Sequence, residues 1–364
     1  LLCDTQGRPL TPALLYNDPR ALAQAARIAA RAPQQAAVHG PTSSLAKLLW
    51  FQDNGLADGI EARAARPGRR GCGLARQAAH ALHQADWIAG RLTGNYGHSD
   101  YHNCLKLGYD AERLAWPAWL ADLGVNTALL PQVHAPGESL GPLHPGVAAL
   151  LGLPPETRVR AGTTDGVAGF LAAGAHAPGH GVTSLGSTLV LKLVSDRPVF
   201  SPAHGVYSHR LGDRWLTGGA SNSGGAVLAQ YFSAEELRAL TPLLKPDVPT
   251  GLDYYPLPGI GERFPVNDPA LAPRLSPRPA DRVVFLQGLL EGIARIEARG
   301  YELLAELGAP RLTALWTSGG GAQNMAWERI RARALKMEMR HARSGQAAYG
   351  SALLAAGIVT KTHQ

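Results

Sequence analysis

Along this chain, short runs of alternating apolar and polar residues give way repeatedly to longer runs with one apolar helical face. The segment Arg158 to Phe170 shows the unit. Val159 and Ala161 alternate with polar neighbours as a strand end does, Gly162-Thr163-Thr164 makes a tight turn, and a helix opens at Asp165 and runs through Phe170-Leu171-Ala172-Ala173. Thr163 and Thr164 are N-cap types. Asp165 falls in the first helical turn, where backbone N–H groups and the helix dipole favour a charged carboxylate. Two readings of Asp165 follow: a helix cap, or a proton acceptor for a hydroxyl.

Before that segment, Leu1 to Leu15 reads as two short apolar pieces about a turn, the second half of a strand-turn-strand unit. Asp18 and Pro19 supply an N-cap and first turn for an Ala-rich helix over Ala21–Ala32. Thr42-Ser43-Ser44 starts a second helix that places Trp50 on an apolar face. Gly55 to Gly73 is irregular. An amphipathic stretch, His80 to Leu92, ends at Thr93-Gly94 and contains Asp86. Ser99 to Asn103 is a polar loop of the kind that holds hydroxylated ligands. A helical piece at Trp116–Leu123 and a Pro/Gly/His-rich linker, Pro136 to Pro145, complete a first domain, residues 1–154, and Pro154-Pro155 marks its boundary with a second, residues 155–364.

In the second domain, Gly181 to Val194 places two β-rich runs about Gly186-Ser187-Thr188, a hairpin signal. Gly205 to Thr217 predicts another hairpin. Gly218 to Gly225 reads as a glycine-rich loop leading into a helix over Ala226–Phe232, and Lys245 to Pro279 as a long Pro-rich excursion. Phe285 to Leu307 predicts a long helix. Then come a strand (Leu312–Trp316), a glycine loop (Thr317–Gln323), a helix (Asn324–Leu335) and a small-residue helix (Gln346–Gly357).

Composition narrows the class. With 364 residues, 45% hydrophobic and 17% charged, the chain is long enough for two globular cores and too apolar for disorder. The net charge of +7 is scattered, with Arg-rich runs at Arg63–Arg76 and Arg329–Arg343 that read as solvated faces. No nucleic-acid-binding motif accompanies them. No run approaches the roughly 20 apolar residues of a membrane span, and no signal peptide is visible. Cys3, Cys72 and Cys104 are too few and too far apart for a disulfide framework, which fits a reducing, cytoplasmic setting. No His/Cys/Asp grouping has zinc spacing, so no tightly held protein-ligated metal is expected. Trp50, Trp87, Trp316 and Cys104 are expected in the core, and His102 is either a sugar contact or a structurally bonded histidine.

Three features point to chemistry. The turn at Leu185-Gly186-Ser187-Thr188 gathers backbone N–H groups and two hydroxyls in a shape that can wrap a terminal phosphate. Ser318-Gly319-Gly320-Gly321-Ala322-Gln323-Asn324 lies between strand and helix, where glycines permit close approach of a flat ligand and the helix N-terminus favours phosphate. Asp165 supplies an acceptor. Together they suit phosphoryl transfer to an alcohol. A Walker A lysine motif and the protein-kinase signatures are absent, which directs the reading to another kind of kinase.

On these residues the chain resembles the FGGY carbohydrate kinases. Ala161-Gly162-Thr163-Thr164-Asp165 is similar to that family's catalytic-base motif. Ser187 and Thr188 lie in what resembles its phosphate hairpin, and Gly319 to Asn324 in what resembles its adenosine loop. Ser44 to Asn54 is similar to the first family signature, and Gly288 to Ile293, less completely, to the second. The resemblance implies an α/β, actin/hexokinase-like (ribonuclease H-like) two-domain ATPase fold with a cleft between the domains. It also implies an ATP-dependent carbohydrate kinase that uses magnesium and acts as a monomer or homodimer, with no nucleic-acid or membrane partner. Tyr16–Arg20, Thr42–Lys47, Ser99–Asn103 and Thr183–Val190 look most like small pentulose kinases that act on D-ribulose, with D-xylulose the neighbouring possibility. Asp165 would then take the proton from the sugar's terminal hydroxyl, with Thr164 and Gly166 shaping that corner. Ser44 or Ser43 would bind the sugar, with Asp18 and Arg20 near its hydroxyls and Asp86 near the same side. Gly186, Ser187 and Thr188 would hold the β- and γ-phosphates with Gly225 beside them, and Gly320, Gly321 and Asn324 the adenosine. The family's opening Asp-x-Gly-Thr hairpin has no counterpart before Asn17. The expectation is a first domain lacking its N-terminal strands, through a truncated record or a true loss. A member that binds sugar or nucleotide without turnover is the competing reading.

Overall fold

The computed structural model of the chain describes residues 1–54 and 78–358. The irregular Gly55–Gly73 stretch, the Arg63–Arg76 run and Cys72 therefore lie outside the described residues. The chain forms two compact units, residues 1–164 with the C-terminal segment from Ser351, and residues 165–350.

The first unit is built on very short strands. β1 (Leu2–Cys3) pairs antiparallel with β2 (His80–Ala81), β3 (His98–Asp100) runs parallel to β4 (Gln132–His134), and β5 (Ser139–Pro142) pairs antiparallel with β6 (Arg158–Arg160). Among the described residues, five helices join them: α1 (Leu22–Ala29), α2 (Ser44–Asp53), α3 (Gln84–Thr93), α4 (Trp119–Asp122) and α5 (Pro145–Leu151). β5 lies inside the stretch expected to be a linker. Its partner β6 follows Pro154-Pro155 in sequence yet belongs to this unit, because the β5–β6 pairing holds it there.

Local chemistry explains where the helices start. α1 runs from Leu22 to Ala29, inside the expected Ala21–Ala32, and Asp18 does not cap it: its Oδ1 accepts from the Arg20 backbone N–H and guanidinium Nε, at 3.1 and 2.9 Å. α2 begins as expected, with Ser43 Oγ accepting from Ala46 N. α3 carries a capping box between His83 and Asp86 and ends at Gly94, whose φ of 75° is the left-handed conformation glycine tolerates.

The second unit holds a six-stranded mixed sheet in the order β12-β11-β7-β8-β10-β9. It is preceded by α6 (Asp165–Ala173) and comprises β7 (His180–Leu185), β8 (Leu189–Ser195), β9 (Tyr207–Leu211), β10 (Arg214–Ser221), β11 (Ala314–Ser318) and β12 (Met339–His341). The β12-β11-β7 neighbours are parallel, and the β7-β8-β10-β9 neighbours are antiparallel, with β10 between β8 and the edge strand β9. Between and after the strands come α7 (Gly225–Tyr231), α8 (Ala234–Leu240), α9 (Arg282–Glu306) and α10 (Met325–Leu335), and α11 (Ala347–Ala355) starts in this unit and ends in the first. Leu189, Leu191 and Leu193 alternate along β8 and are fully buried with Leu289, Leu290 and Ile293 of α9, which is why the hairpin pattern read true.

Gly218 to Ser221, expected as loop, is strand. A Cβ at Gly218 would stand 1.9 Å from the Leu191 carbonyl oxygen, and one at Gly219 would stand 2.3 Å from the Phe264 ring. These glycines admit close neighbours across the sheet rather than open a turn. Among the described residues, no helix is long and apolar enough to cross a membrane.

Candidate active-site residues in the two units

Asp165 is the first residue of α6 and is exposed. Its Oδ1 accepts from the Gly166 N–H at 2.6 Å, so the carboxylate sits on the positive end of the helix. Immediately before it, Ala161 is pinned by hydrogen bonds with Glu138 and Gly137, and the Thr163 hydroxyl lies 2.7 Å from His102 Nδ1. His102 is 3% exposed, which makes it a structural support of the Gly162–Thr164 turn.

Lys192 of β8 was not singled out from the sequence. Its Cε lies 3.7 Å from where a side chain on Gly166 would begin, and its ammonium is 3.4 Å from His209 Nδ1. The signal was present, since Lys192 is the one charged residue in the apolar run Leu189–Val194. It brings a positive charge close to Gly166, the residue after Asp165.

The two predicted nucleotide loops of the second unit lie against each other. Gly186, Ser187 and Thr188 form the β7–β8 turn, with Gly186 and Ser187 exposed. Gly225 N donates to the Gly186 carbonyl at 2.9 Å and Ala226 N to the Ser187 carbonyl at 3.0 Å. Gly225 thus braces the turn with its own N–H. Gly224 must be glycine here: its φ is 138°, and a Cβ would meet the Thr188 carbonyl carbon at 2.8 Å.

The three glycines of the second loop divide their work. A Cβ on Gly319 would meet the Leu185 carbonyl oxygen at 2.7 Å, and one on Gly321 would meet the Trp327 ring at 2.6 Å and Leu185 at 2.8 Å. Those two let the loop seat on the phosphate turn. A Cβ on Gly320 would meet nothing within 4 Å. Asn324 is already engaged: its Oδ1 accepts from Trp327 N at 2.9 Å as the cap of α10, and its amide donates to the Thr241 hydroxyl.

In the first unit, the two serines of the first family signature separate. Ser43 is 3% exposed and spends its hydroxyl on the α2 cap, whereas Ser44 is half-buried and its Oγ lies 3.2 Å from His83 Nε2. His83 Nδ1 lies 2.9 Å from Asp86 Oδ2, so Ser44, His83 and Asp86 form one relay. Sequence reading found its ends and missed His83, whose role depends on the start of α3 meeting the start of α2. Asp18 and Arg20 form an exposed ion pair, with the guanidinium 5.1 Å above the Trp50 ring. Arg20 holds the Asp18 carboxyl below its usual range. Lys47, also in the signature, is buried and donates to the carbonyls of Leu15 and Tyr16. Burial lowers its ammonium pKa, and the two carbonyls fix the chain just ahead of Asp18.

The Ser99–Asn103 stretch, expected as an open polar loop, is interior. Ser99, Asp100 and His102 are 3%, 1% and 3% exposed. Asp100 is consumed locally, accepting from the backbone N–H groups of His102 and Asn103 and from the Asn103 amide. Burial pushes its carboxyl up to about 6, against the pull of those bonds. A cavity of about 310 Å³ is lined by Asp86, Ser99, Asp100, Arg160 and apolar residues of α3, and none of Ser43, Ser44, Asp18 and Arg20 lines it. Trp316 is buried as expected, while Trp50 and Trp87 are only half-buried, the latter donating to the Gly7 carbonyl.

Comparison with known proteins also finds two domains, with boundaries near those of the two units. The N-terminal domain of the FGGY family of carbohydrate kinases matches residues 1–172, and its C-terminal domain matches residues 181–357. A xylulose kinase from Streptomyces coelicolor is 30% identical over 98% of this chain and 72% of its own length. One from Escherichia coli is 26% identical over 90% of this chain and 67% of its own. Among solved structures, a xyloylose kinase from Brucella ovis superposes with a TM-score of 0.83 at 26% identity, over 99% of this chain and 73% of that one. A xylulose kinase from Rhodospirillum rubrum gives a TM-score of 0.81 at 23% identity, which shows the fold.

Proposed function

The chain belongs to the FGGY family of carbohydrate kinases, and from that premise we propose that it phosphorylates the terminal hydroxyl of a ketopentose with ATP, D-ribulose giving D-ribulose 5-phosphate. The observation that carries this reading is Asp165. It is an exposed carboxylate at the first residue of α6, in the unit that also holds the phosphate turn and the glycine loop.

In this reading Asp165 takes the proton of the attacking hydroxyl, and Thr164 and Gly166 shape the turn around it. Ser44 hydrogen-bonds the sugar, oriented by His83 and Asp86, with Asp18 and Arg20 near the sugar's other hydroxyls. The turn Gly186–Thr188, braced by Gly225, holds the β- and γ-phosphates. Gly320 lies against the adenosine, with Gly321 and Asn324 setting the loop. Magnesium brought by the nucleotide would supply charge neutralisation at the phosphates; no protein side chain is assigned to it. A cytoplasmic setting suits these substrates.

D-xylulose, the C3 epimer, is the second reading, and the relatives named xylulose kinase favour it. D-ribulose rests on the likeness of Tyr16–Arg20, Thr42–Lys47, Ser99–Asn103 and Thr183–Val190 to pentulose kinases that act on it. A coupled assay of ADP release over both ketoses decides between them: the higher kcat/KM on D-xylulose would overturn the D-ribulose assignment. In the same assay Asp165→Asn is expected to lower kcat by roughly 100- to 10,000-fold while ATP still binds. Turnover close to the parent's would remove Asp165 from the role of base.

A further inference from the structure

Beneath the two nucleotide loops lies a fully buried charged network that none of the roles above uses. Arg331 of α10 and Glu297 of α9 are 1% and 0% exposed. They pair side-on, Arg331 Nε to Glu297 Oε2 at 2.6 Å and Nη2 to Oε1 at 2.7 Å. Each also holds a threonine. Thr183 Oγ1 donates to Glu297 Oε1 at 2.5 Å and lies 3.0 Å from the Tyr301 hydroxyl, and Arg331 Nη1 donates to Thr317 Oγ1 at 2.9 Å.

The two threonines are direct partners across the parallel β7–β11 pair. Thr183 precedes the phosphate turn by three residues, and Thr317 precedes Ser318, where the glycine loop begins. The loops in turn seat on each other through Gly319 and Gly321 against Leu185. A displacement of either strand end would therefore separate the groups that must grip one nucleotide. A buried ion pair is a poor source of net stability, because desolvation offsets its attraction and apolar residues of similar volume often serve as well. What it supplies is direction: a planar guanidinium and a bidentate carboxylate accept one geometry, and each fixes one strand.

We propose that Thr183, Glu297, Arg331 and Thr317 are positioning residues for ATP, a buried clamp that sets the separation of the phosphate turn and the glycine loop. This rests on the reading of those loops as the nucleotide site. The test is ATP binding by calorimetry, with thermal unfolding alongside, on the full chain. The Glu297→Leu/Arg331→Met double variant removes both charges together and leaves no unpaired one. It is expected to melt near the parent yet bind ATP about tenfold more weakly, with sugar affinity unchanged. Thr183→Val and Thr317→Val are expected to weaken ATP in the same direction, and Thr183→Ser to restore it. A folded double variant that binds ATP within about twofold of the parent would overturn the clamp. If the double variant does not fold, the two valine variants decide by the same criterion. A parent that binds no ATP would instead remove the nucleotide reading of the loops, and the clamp with it.

Discussion

At the scale of single residues, the same side-chain type takes opposite roles according to its surroundings. Asp165 is exposed at a helix start and available to a ligand, whereas Asp100 is buried and spends its oxygens on its own turn. Nothing in the local sequence separates them, because burial is set by residues far away along the chain. Asp100 carries a measurable consequence. A carboxyl held up to about 6 in the folded state, from an ordinary 3.8, binds its proton more tightly folded than unfolded. Stability is then fullest below the ordinary value and declines as pH rises through about 6. Asn at this position keeps a carbonyl acceptor and cannot ionise. Relative to the parent, Asp100→Asn is therefore expected to gain roughly 2–3 kcal/mol in unfolding free energy between pH 3.5 and pH 7. Parallel pH profiles in denaturant titrations would contradict this.

Elements were legible in proportion to their length and regularity. The β7–β8 hairpin and α9 have strict apolar patterns and were placed within a few residues. The strands β2 to β5 run two to four residues each, too short to show a period, whereas β6 shows its alternation at Val159 and Ala161. Glycines were the least legible, because one residue type serves three purposes. Gly218 admits the neighbouring strand β8, Gly319 seats one loop on another, and Gly320 faces open space. The contrast is testable. Gly218→Ala is expected to cost about 3 kcal/mol or more, since the new methyl meets backbone that cannot yield. Gly320→Ala is expected to leave the melting temperature unchanged and to raise the KM for ATP, because a ligand is the neighbour it would displace. Normal stability in the first variant, or an unchanged KM in the second, would refute the assignment concerned.

For the whole molecule, the order of signatures along the chain identified the family, and with it the architecture of the two units. The last helix shows what order alone misses. Leu354 of α11 is 3% exposed, and a Cβ on Gly137 of the first unit would stand 3.1 Å from its carbonyl oxygen. The C-terminal segment therefore completes the first unit, although sequence assigns it to the second. Leu354→Ala is expected to lower the unfolding free energy of the first unit by about 2–4 kcal/mol and to leave ATP affinity alone. A matching loss of ATP affinity would show that Leu354 acts on the second unit. By itself the sequence determined the family, the succession of long elements, the candidate base Asp165 and the two loops suited to a nucleotide. Those rest on local pattern: period, capping residues and glycine spacing are written in neighbouring positions. Only the tertiary structure decided that Ser43 is spent as a cap while Ser44 joins His83 and Asp86, that Gly320 alone of its loop's three glycines has room for a side chain, and that Arg331 and Glu297 lie beneath both loops. Each of these depends on contacts between residues far apart in the chain, where burial and hydrogen-bond competition fix which groups remain free.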